Sequence, residues 1–370
     1  MSIPATMKAV VIQSDQCVVK DDVPVPKLGM NMALIKTKAV AGNPTDWKHI
    51  DFKIGPQGSI LGCDVAGEIV ELGPNSDSKW AVGDTLCTMV HGASVRYPEN
   101  GAYAEYVRVD LAASIKLPLK PADKDVLPEG RAETFEGAVA MPVGLLTAAQ
   151  LLCLNFGNKL EWEPAQPQHD HPILIWGGAT SCGQYLTQLC RKLNAYSRVI
   201  VVASKKHETR LKKLGADEIY DYHDEDVIER ITRDHPDLYH LVDAVSNPET
   251  LRLVYKCAPI SAPVRLVQLT HMSAKGIIPE EELKSNVEVD GTMLYQISGE
   301  DVTIGNITLP ASPAYRKQAI SFVEFITPKV ADGSIVHIPV KVFQGLESVP
   351  TILRDIKHGK SEGHKLVAKL

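Results

Sequence analysis

An α/β fold is predicted for this chain: a β-rich, barrel-like domain combined with a doubly wound parallel sheet. Two changes of texture along the sequence predict it, and the length supports it. From Met7 to about Val143, short apolar runs (MKAVVI, ALIKTKAV, GEIVELG, YAEYVRV) are broken by Gly, Pro, Asn and Asp, the pattern of short strands with turns between them. After about Pro142, apolar strand runs alternate with helical patterns, which indicates β-α-β units on a parallel sheet. The 370 residues also exceed what one hydrophobic core ordinarily serves, so two interleaved domains are expected.

The elements follow in order. The stretch IGPQGSILG at 54–62 must be loop, and GLLTAAQLLCL at 144–154 reads as a helix. The proline-bearing, polar segment NFGNKLEWEPAQPQHDHP at 155–172 reads as an exposed surface connection. Strands are then expected at PILIW, VIVVA, EIYDY, YHLVDAV and RLVQLT, with helices between them. A long helix from Tyr315 to about Val330, a strand at HIPVKVF, a helix at VPTILRDIK and a strand at KLVAKL complete the chain.

Composition narrows the function. Hydrophobic content of 44%, charged content of 23% and 26 glycines fit an ordinary globular protein. With net charge −6, pI near 6.1 and no basic stripe interleaved with aromatics, nucleic acid is not the expected partner and a small molecule is. The N-terminal segment lacks a basic region followed by a long apolar stretch, and no uninterrupted run approaches about 18 apolar residues. A cytosolic protein with no membrane partner is therefore expected, as monomer or homodimer. Seven scattered cysteines, never spaced C-x-x-C, suit reduced thiols and offer no structural zinc lobe.

The loop GGATSCG, Gly177 to Gly183, joins a strand to a helix. Phosphate approaching such a turn needs backbone without an intruding Cβ, free N–H groups and the positive end of a helix. Gly177, Gly178 and Gly183 supply the tight turn and close packing, while Ala179, Thr180, Ser181 and Cys182 stand in the middle. The next strand ends at Ser204, Lys205 and Lys206 instead of an acid. A hydroxyl and two ammoniums attract a 2′-phosphate that an Asp or Glu would repel, so the expected cofactor is NADPH. The competing reading of the two lysines is a plain solvated surface.

Several stretches together resemble the medium-chain dehydrogenase/reductase superfamily: GCDVAGEIVELG at 62–73, VGD at 82–84, GAYAEYV at 101–107, PVGLLTA at 142–148, GGATSCG at 177–183, LGAD at 214–217 and the closing GHKLV. Within it the chain is similar to the zinc-free fungal enoyl-reductase-like branch and to yeast NADPH-dependent aldehyde reductase-like proteins, through AVAGNPTDWKHIDFKIGPQG at 39–58. The resemblance implies a GroES-like catalytic β-barrel domain, residues 1–144 and 333–370, split around a Rossmann NADPH-binding domain, residues 145–332, with the active site in the cleft between them.

It also implies where zinc would sit in the metal-dependent branch. Asn43 stands at the first ligand position, Cys63 at the second, Asp64 at a following Glu, and nothing near Val143 supplies a third. One thiol is too few for a catalytic zinc, so no metal is expected. His169 and His171 lie in the polar connection without a third partner and read as solvated loop.

Without zinc, the resemblance assigns proton delivery elsewhere. Thr45 falls at the relay hydroxyl and Lys48 at the relay His, Asn43 is placed to donate to a substrate oxygen, and Thr147 matches a residue near nicotinamide. The alternatives left open are that Thr45 caps a turn, Lys48 lies on a wet helix face, Asn43 satisfies loop backbone and Thr147 bonds within its helix. His91 and Tyr103 are candidates to line the pocket or to serve the core. Tyr222 resembles a residue near the adenosine 2′-phosphate, Lys365 one reaching toward the cofactor phosphate, and Gln268, with Asp243, Asn247 and Thr270, ends strands where nicotinamide passes. The expected activity is zinc-independent reduction of small aldehydes or α,β-unsaturated carbonyls. The rival readings are an enoyl or quinone C=C reductase, polyketide-related, and a catalytically idle NADPH-binding sensor.

Overall fold

In a computed structural model, residues 3–370 are described. The chain forms two compact units, one running to Val143 and resuming at Tyr295, the other spanning Gly144–Leu294.

The first unit is built on an eight-stranded sheet. Its central strand, Met32–Ala41, pairs antiparallel with Asp64–Leu72, with Tyr106–Asp110 and with the last strand of the chain, Lys365–Lys369. That last strand lies parallel to Val340–Gln344, so both ends of the sequence close one half-barrel. A hairpin of Thr6–Gln13 and Gln16–Pro24 packs on it, and Val10, Ile35, Ile69, Leu86, Tyr103 and Val107 are fully buried in the shared core.

Immediately after the central strand comes the helix Pro44–Asp51. Pro44 at its first position needs no N–H partner, and the Asp46 carboxylate reaches back to accept the Asn43 N–H at 2.8 Å, a local N-terminus signal in the sequence NPTD.

The second unit carries a six-stranded, all-parallel sheet. Its strand order is Glu218–Tyr220, Val199–Val202, Ile173–Trp176, His240–Asp243, Val264–Gln268 and Val287–Gly291. Numbered along the chain this is 3-2-1-4-5-6, the Rossmann order, whose reversal point lies between the first and fourth strands. The runs ILIW and VIVV are buried throughout because helices cover both faces.

Two sequence expectations differ from the structure. The return to the barrel unit comes at Tyr295, whereas the resemblance implies 333. The helix Pro313–Ala331 is the reason: it packs on Leu111–Ala113 and Ile115–Lys116, and the Arg316 guanidinium clasps the Asp110 carboxylate. The polar connection at 155–172 is not a free surface loop either. Its Gln168 and His169 N–H groups donate to the carbonyls of Asn194 and Ala195 at 2.9 and 3.0 Å, and His169 and His171 are half-buried.

The helical stretch Phe135–Asn155 is long and apolar enough to cross a membrane by composition, but 83% of its most apolar window is buried inside the protein, as befits a core helix.

Candidate active site

The helix Pro44–Asp51 places one face of its side chains inside the barrel unit. Thr45 is half-buried, and its hydroxyl lies 2.7 Å from the Tyr295 hydroxyl and 3.3 Å from His49 Nδ1. His49 is one turn on from Thr45, the i,i+4 neighbour on a helix, and its Nδ1 also donates to the Thr45 carbonyl at 2.8 Å. Tyr295 stacks flat on His91, ring centroids 3.7 Å apart, and its hydroxyl stands 3.4 Å from Cys63 Sγ. Both imidazoles keep a shielded Nε2 without a hydrogen-bond partner.

Burial decides the charge states here. It pushes His49 below the usual histidine range and His91 down to about 3, so both rings are neutral near pH 7. Burial, reinforced by Cys63, holds the Tyr295 phenol well above its ordinary value, and burial does the same for the Cys63 thiol. Tyr295 is thus a permanent O–H donor, and Cys63 is not a thiolate. Burial also raises the Asp46 carboxyl to about 6, despite hydrogen bonds from the Tyr103 hydroxyl (2.6 Å) and the Asn43 N–H.

Below this cluster runs a buried ionic triad. Lys365 Nζ lies 2.8 Å from Asp64 Oδ2 and donates to Asn43 Oδ1 at 2.5 Å, while Asn43 Nδ2 donates to Asp64 Oδ2 at 2.9 Å. Asp64 Oδ1 accepts the Val143 N–H at 2.8 Å. Two expectations change accordingly. The Asn43 amide is committed at both ends: its oxygen accepts from Lys365, and its Nδ2 donates to Asp64 Oδ2 and, at 3.4 Å, to the Ala41 carbonyl, so it is not aimed at a substrate oxygen. Lys365, only 4% exposed, is spent on Asp64 and Asn43 in place of a cofactor phosphate. Lys48 is not brought to Thr45 either: its ammonium lies 5.8 Å over the Trp47 ring, and burial lowers its pKa. Tyr103 serves the core, buried with its hydroxyl on Asp46.

In the second unit, Gly177 to Gly183 form the turn between the strand Ile173–Trp176 and the helix Ser181–Lys192. Gly177 has φ +85°, and a Cβ on Gly178 would stand 2.0 Å from Val201 Cγ1. A Cβ on Gly183 would meet the Gly177 carbonyl oxygen at 2.3 Å, so only glycine lets helix and strand approach this closely. Thr180 caps the helix, its hydroxyl accepting the Gly183 N–H at 3.0 Å; Ser181 Oγ is buried without a partner, and Ala179 and Cys182 complete the turn. The turn lies at the carboxyl end of the sheet, beside the strand-order reversal.

At the end of the next strand, Ser204 is half-buried and Lys205 and Lys206 are exposed. Tyr222 is 51% exposed and packs on His223, centroids 4.1 Å apart. Burial opposes ionisation of Asp221, but the N–H groups of His223 and Lys205 and the His223 ring hold its carboxyl down at about 2. Gln268 is buried with its amide closed on Thr270 and Met272, which leaves main chain to face a ligand. Thr147 is buried, 8% exposed, on the helix Pro142–Gln150.

Residues 29–119 match the alcohol dehydrogenase GroES-like domain family, and residues 182–305 match the zinc-binding dehydrogenase family. A trans-enoyl reductase of Aspergillus niger is 32% identical over 99% of this chain and 97% of its own. The chain belongs to the medium-chain dehydrogenase/reductase superfamily.

It is therefore similar to oxidoreductases that use a nicotinamide nucleotide. An uncharacterized protein of Saccharomyces cerevisiae is 55% identical over 100% of this chain and 99% of its own. The solved structure of CurK enoyl reductase shares the fold, with TM-score 0.68, 17% identity and coverage of 98% and 99% of the two chains. In this medium-chain dehydrogenase/reductase chain, the glycine turn, Thr180, Ser181, Ser204, Lys205 and Tyr222 are the groups able to hold a nucleotide.

Sequence reasoning missed Tyr295, whose surroundings in GTMLYQIS carry no motif and which joins Thr45 across 250 positions. It also missed His49, although its i+4 spacing from Thr45 was visible. His169 and His171 were read without a third partner, and the structure supplies His240.

Proposed function

We propose that this protein is an NADPH-dependent reductase of small aldehydes and α,β-unsaturated carbonyls that works without zinc, in the cytosol. The observation that carries the reading is the Thr45–Tyr295 hydroxyl pair, a neutral proton-donating unit at the position where the metal-dependent branch keeps its relay. The residues at the zinc-ligand positions do not fit the ion. Asn43 and Asp64 already hold the Lys365 ammonium, whose charge would repel a second cation, and Cys63 is a buried, protonated thiol.

Bound NADPH supplies the hydride. What the chain supplies is stabilisation of the oxyanion that hydride addition leaves on oxygen. The half-exposed Thr45 hydroxyl donates to that oxygen, and the Tyr295 O–H donates in turn to Thr45. His49 and His91, neutral, add no positive charge. Transfer of the Thr45 proton to that oxygen, with replacement from water along the same hydroxyls, completes an alcohol from a carbonyl or an enol from an enolate, and the enol becomes the saturated carbonyl by losing its O–H proton as water delivers one to the α-carbon. Lys205 and Lys206, exposed at the strand end, favour a 2′-phosphate and hence NADPH over NADH.

Reduction of C=C is a second reading, supported by the 32% identity to a protein named as a trans-enoyl reductase. The test is oxidation of NADPH, and in parallel NADH, over a panel of aldehydes, enones and quinones with product identification. From cinnamaldehyde, cinnamyl alcohol marks carbonyl reduction and the saturated aldehyde marks C=C reduction. Nucleotide binding without turnover of any panel member would overturn the enzymatic reading.

A further inference from the structure

We propose that His169, His171 and His240 form a divalent transition-metal site, for zinc in the first instance, at the amino end of the parallel sheet in the nucleotide-binding unit. Among the described residues these three form the one group of His, Cys, Asp or Glu whose ligand atoms all lie within 4.8 Å of one another.

Each ring arrives with one nitrogen already engaged, and the same nitrogen is left over each time. His171 Nδ1 donates to the Pro172 carbonyl at 3.0 Å. His240 Nδ1 lies 2.8 Å from the Tyr196 hydroxyl; that hydroxyl donates to Asn158 Oδ1 at 3.4 Å, so its oxygen is free to accept the Nδ1–H. His169 donates to the Phe156 carbonyl, and its Nε2 is buried with no partner. Nε2 is therefore the nitrogen left to ligate in each ring, and the three rings each offer a ligand atom within 4.8 Å of the other two. This is the arrangement metal-bound histidines show, with the distal N–H fixed by a carbonyl or hydroxyl that sets tautomer and ring direction.

The scaffold holds the rings there. The His169 N–H donates to the Ala195 carbonyl, the His171 carbonyl accepts the Ser197 N–H at 3.3 Å, and His240 opens a central strand paired with Ile173 and Arg265. Phe156 stacks on His240 at 4.3 Å and Tyr196 on His169 at 4.8 Å, walling the cluster with aromatic surface. The nearby Arg265 cation opposes an ion, but it is tied to Glu288 at 3.1 Å and to the Asn155 carbonyl.

A zinc ion with Zn–N near 2.0–2.1 Å sets tetrahedral ligand nitrogens about 3.4 Å apart, so the trio closes slightly on binding. His169 and His171 sit outside helix and strand and can make that adjustment. Three imidazoles leave a fourth position for water. One four-residue strand, about 10 Å, separates the cluster from the glycine turn at the other end of the sheet. The ion's role is accordingly structural, pinning the 155–172 connection to the sheet.

The test uses the full-length chain, free of any histidine tag and stripped with chelator, titrated with ZnCl2 by calorimetry, with Co2+ absorption as an independent signal. Expected are about one equivalent per chain and a melting temperature raised by about 5 °C at saturating zinc. His169→Gln and His171→Gln, both on the connection, should each weaken binding at least about 100-fold, as should His240→Gln, and Tyr196→Phe about tenfold. Absence of binding below about 100 μM zinc, or unchanged stoichiometry and affinity in His169→Gln and His171→Gln, overturns the proposal.

Discussion

Thr45 is the only group of the barrel cluster that is both half-exposed and hydroxylated, and its two partners divide the work. In the proposed mechanism Tyr295, buried and held protonated, donates to Thr45, and His49, neutral, bonds the helix turn through the Thr45 carbonyl. Thr45→Val removes the donor that would face the substrate oxygen, and kcat should fall roughly 100-fold with KM little changed. Tyr295→Phe should cost about tenfold, since it acts through Thr45, and Thr45→Ser should recover most of the activity. Lys48→Ala, whose ammonium lies on Trp47, should change kcat by less than about threefold. Steady-state kinetics of the four variants with one carbonyl substrate decide the matter; a Thr45→Val enzyme as active as the parent excludes the relay. The sequence made Thr45 legible because a hydroxyl stood in a recognisable string. It could not reveal what the hydroxyl touches, because Tyr295 arrives from 250 residues away.

The glycine turn and its helix are an element whose geometry its own residues dictate. The Gly183 Cα lies so close to the preceding turn that an added Cβ would strike the Gly177 carbonyl oxygen at 2.3 Å and the Gly178 Cα at 2.8 Å, both backbone and unable to swing aside. Gly183→Ala should push the helix start off the strand, destabilise the chain by about 1–3 kcal/mol and weaken nucleotide binding at least tenfold. Urea unfolding and nucleotide titration of that variant read the two effects separately. Strand, turn and helix here were legible in the sequence, since apolar runs and glycines signal locally. The connection at 155–172 was misread for the same reason: its prolines and polar residues say loop, but what the loop lies on depends on Ala195 and His240, which belong to other elements.

For the molecule as a whole, the depressed histidines predict how stability depends on pH. Burial holds His49, His91, His169, His240 and His337 below the unfolded value near 6.5. Below that pH the unfolded chain binds protons that the folded chain refuses, so stability is full above about pH 7 and declines as pH falls toward the depressed values. Asp46 and Asp243 act in the opposite sense: burial raises both carboxyls, Asp46 to about 6, so each takes up a proton on folding above about 3.8 and its burial costs less as pH falls. The five histidines outweigh the two carboxyls, and urea midpoints measured with chelator present should drop steadily from pH 7.5 to pH 5. His91→Asn should flatten that slope and Asp46→Asn should not; an unchanged slope in His91→Asn would refute the assignment.

What the sequence by itself determined is the architecture of two kinds of sheet, the glycine turn and the identity of the superfamily, because periodicity, turn residues and ordered motifs are properties of neighbouring residues. Tertiary structure alone decided which polar groups meet: Lys365 with Asp64 and Asn43, Tyr295 with Thr45 and His91, His240 with His169 and His171. These partners are drawn from distant parts of the chain, and only burial together, where each donor and acceptor must find a match or stand exposed to a ligand, selects them.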